Sequence, residues 1–278
     1  MDGIYPSFGR VGPVGTRAIP AEEAVALLRS GSAREGSLLG YGNGRSYGDT
    51  CQNSAGTLID MRGMKRVLHF DAETGVLRAE AGLLLSEIIA LAAPHGLFPP
   101  VVPGTQFVTL GGAIANDVHG KNHHRRGTFG CHIESLTLLR SDGKEVVCSA
   151  ESNPRLYRAT IGGMGLSGLI LNASIRLMRV PSLDVEQKVM PFSGLGGYFD
   201  LIDQADAENE YAVAWIDQLA SGAKAGRGVL LAGNHSRFGR RSATLPSERL
   251  AVPFQPPLTL LNRPFLRVFN TAYGWSKR

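Results

Sequence analysis

Glycine is what most constrains this chain. It supplies 35 of 278 residues, about one in eight where about 7% is usual, and 26 of the 35 stand before residue 181. Glycine permits positive φ and lets the main chain approach another group closely. Its clusters therefore predict loops that touch a ligand with backbone N–H groups rather than with side chains. No three-residue period is present, which excludes a collagen-like helix, and neither an internal repeat nor a low-complexity tract is visible.

A chain of 278 residues can bury a sizeable core and form one or two domains. No stretch reaches the roughly 18 to 20 consecutive apolar residues of a membrane helix, and the opening "MDGIYPSFGRV" lacks the basic-then-apolar order of a signal peptide. The expected compartment is therefore the cytoplasm. Cys51, Cys131 and Cys148 include no CxxC pair and cannot pair completely, so they read as thiols rather than as a disulfide framework or a zinc ribbon. The net charge of +5, from 29 Lys and Arg against 24 Asp and Glu, is mild, and the basic residues are scattered apart from "HHRR" at 123–126. That balance favours an anionic ligand over nucleic acid.

Helical spacing marks "PAEEAVALLRSG", "LLLSEIIALAAPHG", "VTLGGAIANDVHG" and "NPRLYRATIGG". Strands are predicted at "SLLGYG", "TLIDM", "VLHFD" and "GVLRAEAG", the last two joined at Glu73-Thr74-Gly75, and a second hairpin turns at Asp142-Gly143. "GLILNASIRLMRV" alternates, with Leu171, Ala173, Ile175 and Leu177 on one face. The predicted class is α+β, and the hairpins argue against a doubly wound Rossmann sheet. Near residue 180 the pattern changes. "LDVEQKVM", "EYAVAWID" and "GRGVLLAGN" read as strands with a helix between the first two, and from Pro246 onward the chain is proline-rich with no convincing element.

Two loops carry the chemistry. "GYGNGRSYGDT" at 40–50 follows a strand, and its consecutive N–H groups suit either an anion nest for a pyrophosphate, helped by Arg45, Ser46 and Asn43, or an ordinary glycine turn. "VPGTQFVTLGGAIAND" at 102–117 adds a Pro103-Gly104-Thr105 turn and a Gly111-Gly112 pair at a helix start, which would offer further backbone donors. Two such loops flanking a β-rich core suit an elongated, phosphate-bridged cofactor. Neither fits GxxxxGK[ST] or the strand-GxGxxG-helix order.

The runs "GNGRSYGD", "PGTQFVTLGGAIANDVHGKNHH", "GTFG" and "GLSGLI" resemble the FAD domain of the vanillyl-alcohol-oxidase type. Within that superfamily they most resemble the decaprenylphosphoryl-ribose 2-oxidase group, the flavin subunit of the epimerase that makes the arabinose donor for mycobacterial-type cell walls. The resemblance implies a two-subdomain, PCMH-type FAD-binding domain over 8–180 and an incomplete antiparallel-sheet substrate domain over 181–278. It implies that Gly42, Asn43, Gly44, Arg45, Ser46, Tyr47 and Gly48 hold the pyrophosphate of FAD. Gly104, Thr105, Thr109, Leu110, Gly111, Gly112, Asn116, Asp117, Val118 and His119 would surround the flavin and ribityl chain, with Ile170 near the adenine side. Covalent members often carry a histidine in the first loop, in a G-x-G-H-S pattern. Arg45 stands there in this chain, so non-covalent FAD is expected.

"DVHGKNHH" at 117–124 remains to be placed. His119 and His123 have the four-residue spacing of a helical metal pair, yet Gly120 breaks a helix and no carboxylate stands close after it, so no metal is expected. A solvated basic loop and a flavin-facing pocket are the other readings, and the resemblance favours the pocket. His119 and Lys121, two apart, point one way in an extended segment and with Tyr47 would meet the substrate edge of the flavin. Lys121 would stabilise a developing alkoxide or bind a substrate phosphate, and His119 would relay a proton. Which of the two acts as base stays open, as does whether Tyr47 packs on flavin or contacts substrate.

The expected function is FAD-dependent oxidation of a sugar secondary alcohol, at C2 of a polyprenylphosphoryl ribose. Its 2-keto product would pass to a separate NAD-dependent reductase, and the lipid substrate would bring peripheral membrane contact. The alternatives are an aldonolactone or alditol oxidase using oxygen on a free sugar, and a non-catalytic flavin- or sugar-binding fragment. Members of the group continue well beyond this length, so the chain is expected to be a fragment or half of a split enzyme.

Overall fold

The computed structural model describes residues 2–3, 5–10, 16–31, 37–243 and 262–276. Contacts divide the chain into two units, Met1–Val180 with Arg241–Ala243, and Pro181–Arg240 with Thr244–Arg278.

The first unit begins with β1 (Asp2–Gly3), β2 (Thr16–Pro20), α1 (Ala21–Arg29), β3 (Leu38–Tyr41) and β4 (Thr57–Asp60). These strands form one sheet in the order β1-β2-β4-β3, parallel at both contacts of β4. Helix α1 carries Glu22 and Glu23 in its first turn and Arg29 in its last, the arrangement its dipole favours, and it buries Ala21, Ala24, Val25 and Leu28.

There follow β5 (Val67–Asp71), β6 (Val76–Glu80), α2 (Leu85–Ala92), β7 (Leu97–Phe98), α3 (Leu110–Ala115), α4 (His123–Arg126), β8 (Ile133–Leu139), β9 (Glu145–Ser149), α5 (Pro154–Thr160), β10 (Leu169–Arg176) and β11 (Met178–Arg179). The antiparallel sheet β5-β6-β10-β8-β9 is the larger frame. Both predicted hairpins are present, β5–β6 and β8–β9. At the first turn the Asp71 carboxylate accepts from the amides of Glu73 and Thr74 and from the Thr74 hydroxyl. Strand β10 buries Leu171, Ala173 and Ile175, as its alternation predicts, and the core they join includes Leu77, Leu136, Leu138 and residues of α2 and α3. The helix expected over "VTLGGAIANDVHG" is only six residues long, because Asp117 turns out of it at φ +41°.

The second unit contains β12 (Val185–Phe192), α6 (Leu195–Glu208), β13 (Tyr211–Ile216), β14 (Gly228–His235) and α7 (Arg263–Ser276). Its sheet is antiparallel in the order β12-β14-β13. Phe192, Leu230, Ala232, Met190, Ala214 and Ile216 pack with Ala205 and Ile202 of α6. Helix α7 corrects the expectation that nothing regular lies beyond Pro246. Pro264 reads as a breaker, but it stands in the first turn, where the missing N–H costs no helical bond. The rest of that proline-rich run, 246–261, lies outside the described residues. No helix among the described residues is long and apolar enough to cross a membrane.

Asp217, 3% exposed, ties this unit together. Its carboxylate accepts from Arg227 Nε at 3.0 Å and from its terminal nitrogen at 2.7 Å, from the Leu219 amide at 3.2 Å and from Asn270 Nδ2 of α7 at 2.7 Å. Burial alone would raise its pKa, but the bonds from Arg227, Asn270 and Leu219 outweigh burial and hold the carboxyl below the usual range. A depressed folded pKa means that the stabilisation is complete above the unfolded value, about 4, and is lost as pH falls through the folded value. Asp217→Ala is expected to destabilise the unit by about 2–3 kcal/mol at neutral pH, since it strands a guanidinium and two further donors. Urea unfolding at pH 7 and at pH 3.5 checks both points: the difference between variant and parent shrinks at the lower pH.

Candidate cofactor site

Strand β3 delivers the first glycine loop. It ends at Tyr41, 3% exposed, whose hydroxyl donates to the Pro6 carbonyl at 2.8 Å. Burial, with Cys51 adding to it, pushes the phenol up to about 12, so the donor keeps its proton. Gly44 sits at φ +59°, and a Cβ there would collide with the Tyr41 hydroxyl and the Pro6 carbonyl, so both conformation and space demand glycine. The Asn43 side-chain amide donates to the Phe107 carbonyl at 2.8 Å, and the Arg45 guanidinium lies 5.5 Å from the Phe107 ring centroid. Both contacts fasten the first loop to the second. The main-chain amides of Asn43, Gly44, Ser46, Tyr47 and Gly48 donate to no main-chain carbonyl among the described residues. Consecutive amides left without a main-chain acceptor in a glycine loop suit an anion nest.

The second loop works differently from the sequence expectation. The Leu110 amide donates to Leu83 O at 2.8 Å and the Gly111 amide to Ala81 O at 2.8 Å, while the Gly112 amide donates to the Thr109 hydroxyl at 3.2 Å. The expected second set of backbone donors at Gly111-Gly112 is therefore spent inside the protein. These glycines serve proximity instead. A Cβ on Gly111 would stand 2.8 Å from the Ala81 Cβ, whereas one on Gly112 would meet only the Thr109 hydroxyl and would otherwise project into the space beside it.

That space is a cavity of about 540 Å³, in the size range of small-molecule and cofactor sites. Residues 42–47 line it from the first loop, Gly104, Thr105, Thr109, Gly111 and Gly112 from the second, Asn116 and Val118 from beyond α3, and Ile170 from β10. Gly48, Leu110, Asp117, His119 and Lys121 are not in its wall. Leu110 is fully buried in the core, and the Asp117 carboxylate is committed to the Gly130 amide at 2.8 Å. His119 is exposed and pairs in a single bridge with Thr128, its ring 5.8 Å from that of His123, and Lys121 is exposed. No group of three or more His, Cys, Asp or Glu suited to a metal ion occurs among the described residues.

Sequence reasoning missed Phe8, Cys51, Met61, Val108, Met164 and Leu169, which also line the cavity. Met164 immediately precedes the quoted run "GLSGLI" and Leu169 lies within it, so both were within reach of that motif. Phe8 precedes every predicted element, and nothing in its surroundings marks it. An unbonded amide nest, apolar walls and glycine cradles that a Cβ would fill suit a long ligand with an anionic middle and flat apolar parts, which is the chemistry of FAD.

Residues 19–149 match the family described as FAD binding domain. Over 262 residues, 91% of this chain and 56% of the relative, the sequence is 34% identical to a decaprenylphosphoryl-beta-D-ribose oxidase of Mycolicibacterium smegmatis. It is 30% identical to an L-gulonolactone oxidase of Bos taurus over 68% of this chain and 41% of that one. With cytokinin dehydrogenase 10 of Oryza sativa it shares 29% identity over 50% of this chain and 27% of the relative. The chain spans about half the length of the first two relatives it matches.

Gly44→Ala tests the first loop. The substitution is expected to cost about 1–3 kcal/mol in backbone strain and to weaken FAD retention at least about tenfold, because relieving the collision moves the nest. Flavin content after gel filtration and equilibrium dialysis against FAD measure the effect.

Proposed function

We propose, from the premise that residues 19–149 are an FAD-binding domain, that the protein is a flavin-dependent oxidoreductase oxidising a secondary alcohol of a sugar, at C2 of a polyprenylphosphoryl ribose. The observation that carries this reading is the identity to the decaprenylphosphoryl-beta-D-ribose oxidase, which covers 91% of the chain and so continues past the FAD-binding segment into the second unit. That unit would then be the first part of a substrate domain. The 2-keto product would be consumed by a separate NAD-dependent reductase, and a lipid-linked substrate would bring the enzyme to a membrane surface.

Bound flavin supplies a hydride acceptor. The chain's own residues must then bind the sugar, orient its carbinol C–H and take up the hydroxyl proton. Lys121 and His119 are exposed and outside the cavity wall, so on this reading they would meet a ligand other than the cofactor. Lys121 would hold an anionic phosphate or the developing alkoxide, and His119 would relay the proton. Tyr47, 81% exposed at the cavity, offers its ring to flavin or substrate. Arg45 occupies the place of a tethering histidine and faces Phe107, which supports non-covalent FAD. A second reading, an oxygen-using aldonolactone or alditol oxidase, draws on the likeness to L-gulonolactone oxidase.

Anaerobic addition of a polyprenylphosphoryl ribose should bleach the flavin absorbance, and free ribose and aldonolactones should not; bleaching by an aldonolactone alone selects the second reading. Acid precipitation should release intact FAD into the supernatant, and colour held in the pellet would sink the non-covalent assignment. Lys121→Ala is expected to keep near-normal flavin content while turnover falls by about two to three orders of magnitude. Loss of flavin in that variant would make Lys121 a cofactor residue instead.

A further inference from the structure

The segment 5–8 is laced to the first glycine loop and the residues just after it at three points. The Phe8 amide donates to Ser46 O at 3.0 Å, the Tyr41 hydroxyl to Pro6 O at 2.8 Å, and the Gln52 side-chain amide to Tyr5 O at 2.7 Å. The Tyr5 ring is held edge-on against Tyr41 at 5.1 Å, with the Arg62 guanidinium 5.4 Å from its centroid. What this strap presents is Phe8. Its ring stands 5.6 Å from that of Tyr47 at 88°, and both rings line the cavity although Phe8 is 60% and Tyr47 81% exposed.

Single exposed apolar side chains need no explanation. Two perpendicular rings at a cavity mouth, one of them fixed by a backbone bond to the amide nest itself, make a notch in which a flat ring can lie against one face and meet the other edge-on. We propose that Phe8 is a cofactor-contacting residue, and that with Tyr47 it clamps a planar ring of the bound dinucleotide next to the nest that holds its phosphates. The proposal rests on the FAD reading above and adds to it a ring contact from outside the matched segment, since Phe8 precedes residue 19. The lacing fixes the main chain that carries the ring before the ligand arrives, so little backbone freedom is lost on binding.

The test is titration of the deflavinated protein with FAD, read by quenching of flavin fluorescence, for the parent, Phe8→Ala, Phe8→Leu and Phe8→Tyr, with thermal melts of each apoprotein. Parallel titrations with FMN and ADP report on the two rings separately. Phe8→Ala and Phe8→Leu should weaken FAD about tenfold, the size of one lost stacking contact. Phe8→Tyr should stay near the parent, and all apoproteins should melt alike. A loss confined to FMN places the flavin ring in the clamp, and a loss confined to ADP places the adenine. If Phe8→Leu binds FAD with the parent's affinity and quenching, or loses FAD without losing either half, the clamp is wrong. If Phe8→Ala fails to fold, Phe8→Leu and Phe8→Tyr decide alone. A parent protein that binds no FAD at all would instead overturn the functional reading, and the clamp with it.

Discussion

Thr109 is the contact on which the cofactor site turns. It is 2% exposed, bridges to Leu84 at the head of α2, and accepts the Gly112 amide on its hydroxyl to start α3. A Cβ on Gly42 would stand only 2.5 Å from the same hydroxyl, so the first glycine loop closes directly onto the cap of the second. A side chain at Gly42 would open that junction and a different cap at 109 would leave the Gly112 amide unsatisfied. Gly111 packs on Ala81 at the same time, which seats the second loop against the end of β6. The cavity is what remains between the two loops.

Around this junction, charge is used to hold segments rather than to do chemistry. Glu80, 5% exposed, accepts from the Arg66 amide and guanidinium at 2.7–2.9 Å. Asp60 takes the Arg62 guanidinium and the Arg62 amide. In both, burial would raise the carboxyl and the arginine bonds outweigh it, leaving the pKa below the ordinary range. Glu80 fastens the approach to β5 to the end of β6, and Asp60 brings Arg62 over Tyr5 and Tyr41. Paired carboxylates of this kind are poor general bases at neutral pH, since their protonated forms are disfavoured. Under the proposed function, the proton would therefore go to exposed groups outside the cavity wall, such as His119 and Lys121.

Much of the frame was legible in the sequence because local rules and the tertiary fold agree there. Asp71 and Asp142 mark their hairpins by bonding their own turns, and the alternation of Leu171, Ala173 and Ile175 names the buried face of β10. Helix α7 was hidden by Pro264, because a proline says "stop" in the interior of a helix and "start" in its first turn, and the residues that would reveal which, Asp217 and Trp215, pack on it from the distant β13 side of the sheet. Phe8 was illegible for a similar reason. Its significance comes from a hydrogen bond to Ser46 and a ring contact with Tyr47, almost forty positions away in the chain.

By itself the sequence determined the class of the fold, the glycine-bearing loops and the identity of the ligand chemistry, because backbone freedom, hydrophobic period and turn residues act over a few positions and leave their mark there. The tertiary structure alone decided which amides remain free. Those of Asn43, Gly44, Ser46 and Tyr47, all in the cavity wall, donate to no main-chain carbonyl among the described residues, whereas at 110–112 the carbonyls of Leu83 and Ala81 and the Thr109 hydroxyl consume them. Two glycine-bearing loops thus divide the work, one offering donors and the other offering closeness. That division rests on where the acceptors of a neighbouring segment happen to lie, which no local pattern records.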